Sequence, residues 1–216
     1  LLADVHHELP IEYTVTKASK GEREQFKKHI EMLPREKVEQ IETACADKGY
    51  DSEDMIEFLK GKGIKPIIDI KNQWRRETTK QYKDTDIVYT YDGKVYYVDD
   101  YGNMQSLKYL GYDKVKDTLR YQYQNKVYSI ELNYDRRVFT PIARDSKKWQ
   151  RRYHKRTALE RINGRMDRDF NLENHKVRGL KKATVLIDIM MIAMMGMAKG
   201  HIINKQPEKI RKLKVT

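Results

Sequence analysis

Residues 41–70 have the sequence IETACADKGYDSEDMIEFLKGKGIKPIIDI, which predicts a strand, a turn, a helix and a second strand. The first strand is a run of small and apolar residues over positions 41–46 that ends at Asp47. Ser52 then precedes two acidic residues, which is typical of a helix N-cap. Residues 65–70 (KPIIDI) are apolar enough to predict a buried strand. Because strand and helix alternate, we expect an α/β sheet with parallel pairing in this region.

Tyrosine-rich sequence occupies the middle of the chain. From about residue 73 to residue 140, tyrosines recur between turns such as Asp92-Gly93 and Gly102-Asn103, which predicts antiparallel strands. Alternating aromatic residues ordinarily fill small sheets, so we interpret these tyrosines as packing residues rather than as platforms for nucleic-acid bases. The pattern therefore indicates a β-rich insertion.

Other elements are predicted on both sides of these regions. Residues 1–5 and 11–16 predict a hairpin, and residues 21–33 predict a helix. Helical periodicity returns over residues 144–169. The methionine-rich run 183–198 is shorter than the roughly 20 residues that a membrane span needs. We interpret it as a buried helix whose methionines fill the core, and we expect no membrane partner.

Composition narrows the class of partner. The 216 residues include 44 Lys and Arg against 32 Asp and Glu, giving a formal net charge of +12. Such a balance favours a polyanionic partner, and nucleic acid is the first candidate. The single cysteine, Cys45, excludes an intrachain disulfide and a Cys-rich zinc site, and it is consistent with a reducing compartment.

Two acidic residues are candidates for chemistry. Asp47 follows a predicted strand, where open α/β sheets place their sites, and Gly49 allows close backbone approach. Glu160 lies in the segment YHKRTALERINGR, residues 153–165, among several arginines. Tyr153, Arg156, Glu160 and Asp167 would fall on or near one face of a continuous helix. Taken alone, Asp47 could be a structural cap and Glu160 an ion-pair partner on an exposed helix.

Basic residues are dense before Glu160. A run of this kind is often a solvated face, but its position beside a candidate carboxylate favours contact with the DNA backbone. The run consists of Lys147, Lys148, Arg151, Arg152, Lys155 and Arg156. Trp74 and Trp149 are interpreted as core residues, and the His6-His7 pair as part of a surface turn.

These segments together resemble a known family. ADKGYDS (residues 46–52), followed by the pattern Y-x2-R-x3-E from Tyr153 to Glu160, is similar to the second Asp and the final Glu block of DDE transposases of bacterial insertion sequences. Residues 2–17 resemble the hairpin that those enzymes place before the second Asp, and RGLKK (residues 178–182) resembles the segment after the Glu helix. The resemblance covers nearly the whole chain.

The resemblance implies an α/β fold with an RNase H-like core, the β insertion and a C-terminal apolar helix. It implies a core over residues 1–72, the insertion over 73–143 and the C-terminal helices over 144–216. Asp47 and Glu160 would be catalytic ligands of Mg²⁺ (or Mn²⁺), with two ions expected. The DNA-binding residues would be Tyr153, Lys155, Arg156, Arg161 and Arg165.

The implied activity is cleavage of transposon ends and strand transfer into target DNA. The partners would be the terminal inverted repeats, the target DNA and a second copy of the chain in a synaptic homodimer. The expected location is the bacterial cytoplasm, in association with the nucleoid.

Two departures from the family pattern leave alternatives open. Asp167 stands where many relatives have a Lys seven residues after the Glu, and the first catalytic Asp would lie on a strand before Leu1. The alternatives are an inactive remnant that binds DNA, another RNase H-like nuclease and a basic RNA-binding module.

Overall fold

The structure is a computed structural model that describes residues 1–17, 19–74 and 77–212. The chain divides into two compact units. The terminal unit comprises residues 1–33 and 155–216, and the central unit comprises residues 34–154. The predicted division at residues 72 and 143 stays a prediction, and it includes residues 75–76 and 213–216, which lie outside the described ranges.

The central unit contains the predicted strand, turn, helix and strand. β3 (Thr43–Ala46) and β4 (Lys65–Ile68) pair in parallel. α3 (Glu53–Gly61) connects them, and the hydroxyl of Ser52 accepts a hydrogen bond from the Met55 N–H at 3.3 Å. This bond satisfies one of the N–H groups that have no partner within the helix. The predicted N-cap and parallel pairing are confirmed.

The tyrosine-rich region, predicted as a β insertion, forms two antiparallel sheets. Its strands are β5 (Lys80–Gln81), β6 (Ile87–Tyr89), β7 (Val95–Val98), β8 (Met104–Ser106), β9 (Lys108–Asp113), β10 (Thr118–Tyr123) and β11 (Lys126–Glu131). One sheet has the strand order β5-β6-β7-β8, and the other has the order β11-β10-β9. Gly93 and Gly102 adopt φ of +86° and +81°, which L-residues rarely adopt, at the two predicted turns.

Tyrosine packing fills the insertion, as the alternation predicted. Tyr89 and Tyr121 are buried, and six more tyrosines pack around the same core. Trp74 packs edge-on against Tyr89, with ring centroids 5.6 Å apart. Tyr101 is an exception, since it is 90% exposed at a turn.

Two short helices complete the central unit. α2 (Arg35–Glu39) precedes β3, and α4 (Lys147–Tyr153) follows the insertion. Trp149 of α4 is buried against Ile67 of β4, which confirms that this tryptophan is a core residue. Packing of α4 on the parallel pair places its last residues near the ends of those strands.

The described part of the terminal unit contains a hairpin and three α-helices. Its elements are β1 (Leu2–Asp4), β2 (Leu9–Glu12), α1 (Glu22–Met32), α5 (Thr157–Phe170) and α6 (Leu180–Ile203). β1 and β2 pair antiparallel, as predicted. Ile162 and Met166 of α5 pack against Met190, Met191 and Met194 of α6. The methionines therefore serve as core side chains on this face.

The predicted helical pattern over residues 144–169 is confirmed from Lys147 onward, with one interruption. α4 ends at Tyr153, a 3₁₀ turn covers His154–Arg156, and α5 begins at Thr157. A 3₁₀ turn has 3.0 residues per turn rather than 3.6, so the α-helical hydrogen-bond pattern is interrupted over these three residues. The predicted common face of Tyr153 and Glu160 stays a prediction, because the two residues belong to different units.

The prediction that residues 183–198 form a buried helix is confirmed for one face of α6 only. Its second face is exposed, with Val185 at 57%, Ile189 at 58% and Ile192 at 71%. With 3.6 residues per turn, packing against α5 covers only one side of the helix. By length and composition α6 could cross a membrane, with 28% of its most apolar window buried, but a core helix passes the same test and this is weak evidence.

Candidate functional site

Asp47 is held at the carboxyl edge of the parallel pair. It directly follows β3, and its Oδ1 accepts a hydrogen bond from the Gly49 N–H at 2.7 Å. A Cβ on residue 49 would lie 2.8 Å from the same oxygen, closer than real Cβ contacts. Gly49 therefore permits the turn that fixes one carboxylate oxygen. The side chain is exposed, so the carboxylate is accessible to a ligand.

Asp69 stands beside Asp47 on the neighbouring strand. Ala46 pairs with Ile68, so Asp47 and Asp69 both follow directly after the last paired residues. The predicted strand reached Ile70, but β4 ends at Ile68 and leaves Asp69 just beyond it. Parallel strands share their carboxyl edge, which brings both carboxylates to one side of the sheet.

Asp69 binds the residue that follows Asp47 in the chain. Its Oδ2 lies 3.2 Å from the Lys48 Nζ. The hydrogen bond from this ammonium to Asp69 raises the pKa of Lys48. The Tyr153 hydroxyl donates to the same oxygen at 3.4 Å, a long hydrogen bond. Lys48 and Tyr153 thus converge on one carboxylate.

Tyr153 lies at the end of α4 rather than on the Glu160 helix. Its ring stacks on Trp149, with centroids 4.9 Å apart and planes 14° apart. Because Trp149 is buried, it fixes the position of the Tyr153 ring that stacks on it. The hydroxyl group remains at the strand edge, against Asp69.

Glu160 lies in the terminal unit, in the first turn of α5. Arg156 Nη1 donates to its Oε1 at 2.6 Å, four residues away along the chain. The Glu160 side chain is 61% exposed. An exposed pair at this spacing stabilises a helix by only about 0.3–0.5 kcal/mol, so a stronger ligand can displace it. Glu160 is therefore available for a metal ion.

Arg161 and Arg165 are engaged within the terminal unit. Arg161 Nε lies 2.7 Å from an oxygen of Glu8, which is a buried carboxylate. Arg165 is buried, and its guanidinium donates to the backbone carbonyls of Glu8 and Arg211. Burial lowers the pKa of Arg165. These contacts link the hairpin turn to α5 and to the segment after α6.

The predicted basic run is partly exposed. Arg152 donates to both carboxylate oxygens of Glu42, at 3.0 and 2.9 Å, so its charge is neutralised locally. The side chains that remain exposed are Lys147, Lys148, Arg151 and Lys155. Lys155 lies in the 3₁₀ turn before α5.

The two predicted metal ligands belong to different units. Asp47 lies in the central unit and Glu160 in the terminal unit. Their carboxylate oxygens are the hard donors that Mg²⁺ and Mn²⁺ prefer, and both side chains are exposed. Over the described ranges, no three His, Cys, Asp or Glu side chains group closely enough to hold a metal ion. The donor chemistry of Asp47 and Glu160 therefore fits these metal ions.

Comparison with known proteins identifies the family. The family model for the transposase DDE domain matches residues 1–195. The chain therefore belongs to the family of transposase DDE domains, as the two motifs predicted. Comparisons with curated proteins and with solved structures give no match.

Sequence reasoning missed three residues at these positions. The contact between Asp69 and Lys48 could be recognised only from the strand register. The two predicted parallel strands had already implied that their carboxyl ends share one edge of the sheet. Glu8 gave no signal, because its partners Arg161 and Arg211 are far away in the sequence.

Proposed function

We propose that this chain is the RNase H-like catalytic domain of a DNA transposase that cleaves transposon ends and joins them to target DNA. The observation that carries the proposal is the placement of Asp47, which a Gly49 turn fixes at the carboxyl edge of a parallel strand pair. This Asp belongs to the ADKGYDS motif of a chain that matches the DDE domain over residues 1–195. An exposed carboxylate at such an edge is suited to a metal-dependent phosphoryl-transfer site.

Asp47 and Glu160 would hold Mg²⁺ or Mn²⁺. When bound, two such ions supply charge stabilisation for the attacking and leaving oxygens of a phosphodiester. The Gly49 N–H orients the Asp47 carboxylate, and Glu160 lies in the first turn of α5. Glu160 would exchange its Arg156 partner for the metal.

Arg156, Lys155 and Tyr153 would contact the DNA backbone. The planar guanidinium of Arg156 is suited to bidentate contact with a phosphate when Glu160 binds the metal. For Arg161 and Arg165 we propose a packing role instead, because both donate to Glu8. The partners would be the terminal inverted repeats, the target DNA and a second copy of the chain in a synaptic homodimer. The site of action would be the bacterial nucleoid.

The experiment that tests the proposal replaces the two carboxylates one at a time. In the full chain with Mn²⁺ or Mg²⁺, Glu160→Gln and Asp47→Asn should abolish nicking of DNA that carries the terminal repeats. Binding to the same DNA should persist, because neither amide removes a phosphate contact. Glu173→Gln, at an exposed acid of the same unit, is the matched control. Nicking that persists in both variants would overturn the assignment.

A second candidate function is DNA binding without catalysis. It is favoured by the finding that the described ranges provide no cluster of three acidic or imidazole ligands. Metal-dependent nicking by the wild-type chain would exclude it. A third candidate function is that of an RNase H-like nuclease, which would yield nicked DNA but no strand-transfer product.

A further inference from the structure

We propose that Asp69 is a positioning residue that holds Lys48 and Tyr153 beside Asp47, so that both can contact one phosphate of bound DNA. The inference rests on the proposed function, because it assigns a phosphate subsite next to a predicted metal ligand. All four residues lie in the central unit.

The backbone around Asp69 is held from both sides. Arg144 is buried, and its guanidinium donates to the carbonyl of Ile68, the residue before Asp69. The Lys71 N–H donates to Oδ2 of the buried Asp51 at 2.8 Å. Asp69 Oδ1 accepts the Ile70 N–H at 2.9 Å. One carboxylate oxygen is thus occupied by the backbone, and Oδ2 is directed toward Lys48 and Tyr153.

Asp69 restrains the Lys48 ammonium and accepts a hydrogen bond from the Tyr153 hydroxyl. The Lys48 side chain is 60% exposed, so its ammonium would sample many rotamers without a partner. Oδ2 of Asp69 holds this ammonium at 3.2 Å and the Tyr153 hydroxyl at 3.4 Å. A lysine ammonium has three donors, so it can keep one for Asp69 and direct the others at a phosphate oxygen.

The arrangement also protects Asp47. Lys48 adjoins Asp47 in the chain, and an unrestrained ammonium could pair with the carboxylate that the metal needs. With Lys48 held on the neighbouring strand end, the charge of Asp47 remains available to a cation. Asp69 therefore acts through Lys48 and Tyr153 rather than on the DNA itself.

The test measures DNA affinity against salt concentration. A fluorescein-labelled duplex is titrated with the full chain at several NaCl concentrations, and the slope of log Kd against log salt counts phosphate contacts. Asp69→Ala should weaken binding several-fold and reduce the slope by about 1, and we expect the same of Lys48→Ala. Lys83→Ala and Glu131→Ala, at an ion pair of 2.6 Å in the insertion, are matched controls.

The direction in which Asp69→Ala changes DNA affinity distinguishes a positioning role from simple repulsion between Asp69 and DNA. Loss of an acid from a DNA-facing surface should tighten binding if Asp69 is a bystander. Binding by Asp69→Ala that equals or exceeds wild type, with an unchanged slope, would overturn the proposal. In a Lys48→Ala/Tyr153→Phe background, Asp69→Ala should have no further effect. Additive losses there would count against positioning.

Conservative variants guard against a folding artefact. Asp69→Asn keeps an acceptor for Tyr153 and Ile70 but loses the charge that holds Lys48, so its affinity should lie between wild type and Asp69→Ala. Equal melting temperatures establish that the fold is intact. If Asp69→Ala unfolds, the Asp69→Asn variant alone is used for the test. An affinity and a salt slope of Asp69→Asn equal to those of the wild type would then overturn the proposal.

A further variant separates positioning from metal ligation. If Asp69 bound metal directly, nicking lost in Asp69→Cys with Mg²⁺ would return with Mn²⁺, which accepts sulfur more readily. That rescue would overturn the positioning role. If Asp47→Asn and Glu160→Gln still nick DNA, the proposed function fails. If both variants are inactive but Asp69→Ala binds DNA like the wild type, only the present inference is refuted.

Discussion

At Gly49 a single missing methyl group decides where the Asp47 carboxylate can lie. A Cβ at this position would approach Asp47 Oδ1 to 2.8 Å, so the side chain would have to move. We expect Gly49→Ala to lower the nicking rate by up to about 100-fold, since a shift of about 1 Å in a catalytic group can cost that much. Stability should change little, because the atom displaced ends a flexible side chain.

The control for this substitution is Gly164→Ala. Gly164 lies within α5, and a Cβ there meets nothing within 4 Å. Its substitution should stabilise the helix by up to about 1 kcal/mol and leave nicking unchanged. Equal nicking by Gly49→Ala and wild type would show that the turn does not constrain Asp47.

Asp145 should make stability depend on pH. Burial raises the pKa of this carboxyl to about 6, and its Oδ1 is buried without a hydrogen-bond partner among the described residues. In the unfolded chain the pKa is about 3.9, so the folded state binds the proton more tightly. Stability should therefore fall as pH rises from about 4 to about 6 and stay level above.

Asp145→Asn removes this penalty. Thermal unfolding should show that the free energy of unfolding rises by about 1 to 2 kcal/mol at pH 7.5 and does not change at pH 4, because solvent partly screens this half-buried group. The control is Asp99, whose pKa is lowered because its carboxylate accepts the Asn103 N–H. Asp99→Asn should lose stability above about pH 4. A gain for Asp145→Asn that is equal at both pH values would contradict the linkage.

At the scale of elements, α6 has one packed face and one exposed face. Met194 is 1% exposed in the core between α5 and α6, whereas its neighbour Met195 is 44% exposed. Met194→Ala should destabilise the protein by about 2–5 kcal/mol, because it leaves a cavity. Met195→Ala should cost less than about 1 kcal/mol. Urea denaturation measures both, and equal losses would mean that the exposed face is also packed.

The turn between α4 and α5 shows where periodicity fails as a guide. Apolar and basic residues kept a helical spacing across residues 144–169, yet a 3₁₀ turn at His154–Arg156 divides the segment. Tyr153 stacks on Trp149, while Ile162 packs in the core with α6. A spacing pattern contains no information about such contacts.

At the scale of the whole molecule, the net charge of +12 should dominate DNA affinity. A protein that neutralises roughly six to ten phosphates loses about 10³- to 10⁵-fold in affinity between 50 and 200 mM salt. We expect a loss in this range for a duplex of any sequence, measured by fluorescence anisotropy. Affinity that barely changes with salt would argue against a backbone-binding surface. Tighter binding to structured RNA than to DNA would favour the RNA-binding alternative.

Local sequence was sufficient for several features of this protein. The turn at Asp47, the Ser52 cap and the antiparallel strands of the tyrosine-rich region followed from residues close together in the chain, and the family followed from two short motifs. These features depend on short-range propensity, turn chemistry and side-chain alternation, which a single sequence contains.

Tertiary structure alone decided which charges are available for a ligand. Arg161 and Arg165 resemble the other arginines around Glu160, but contacts with Glu8, more than 150 residues away in the chain, engage both. Asp69 could be placed beside Asp47 only once β4 was seen to end at Ile68, in register with Ala46. Burial and ion pairing arise between distant segments, so their outcome depends on the folded chain rather than on local pattern.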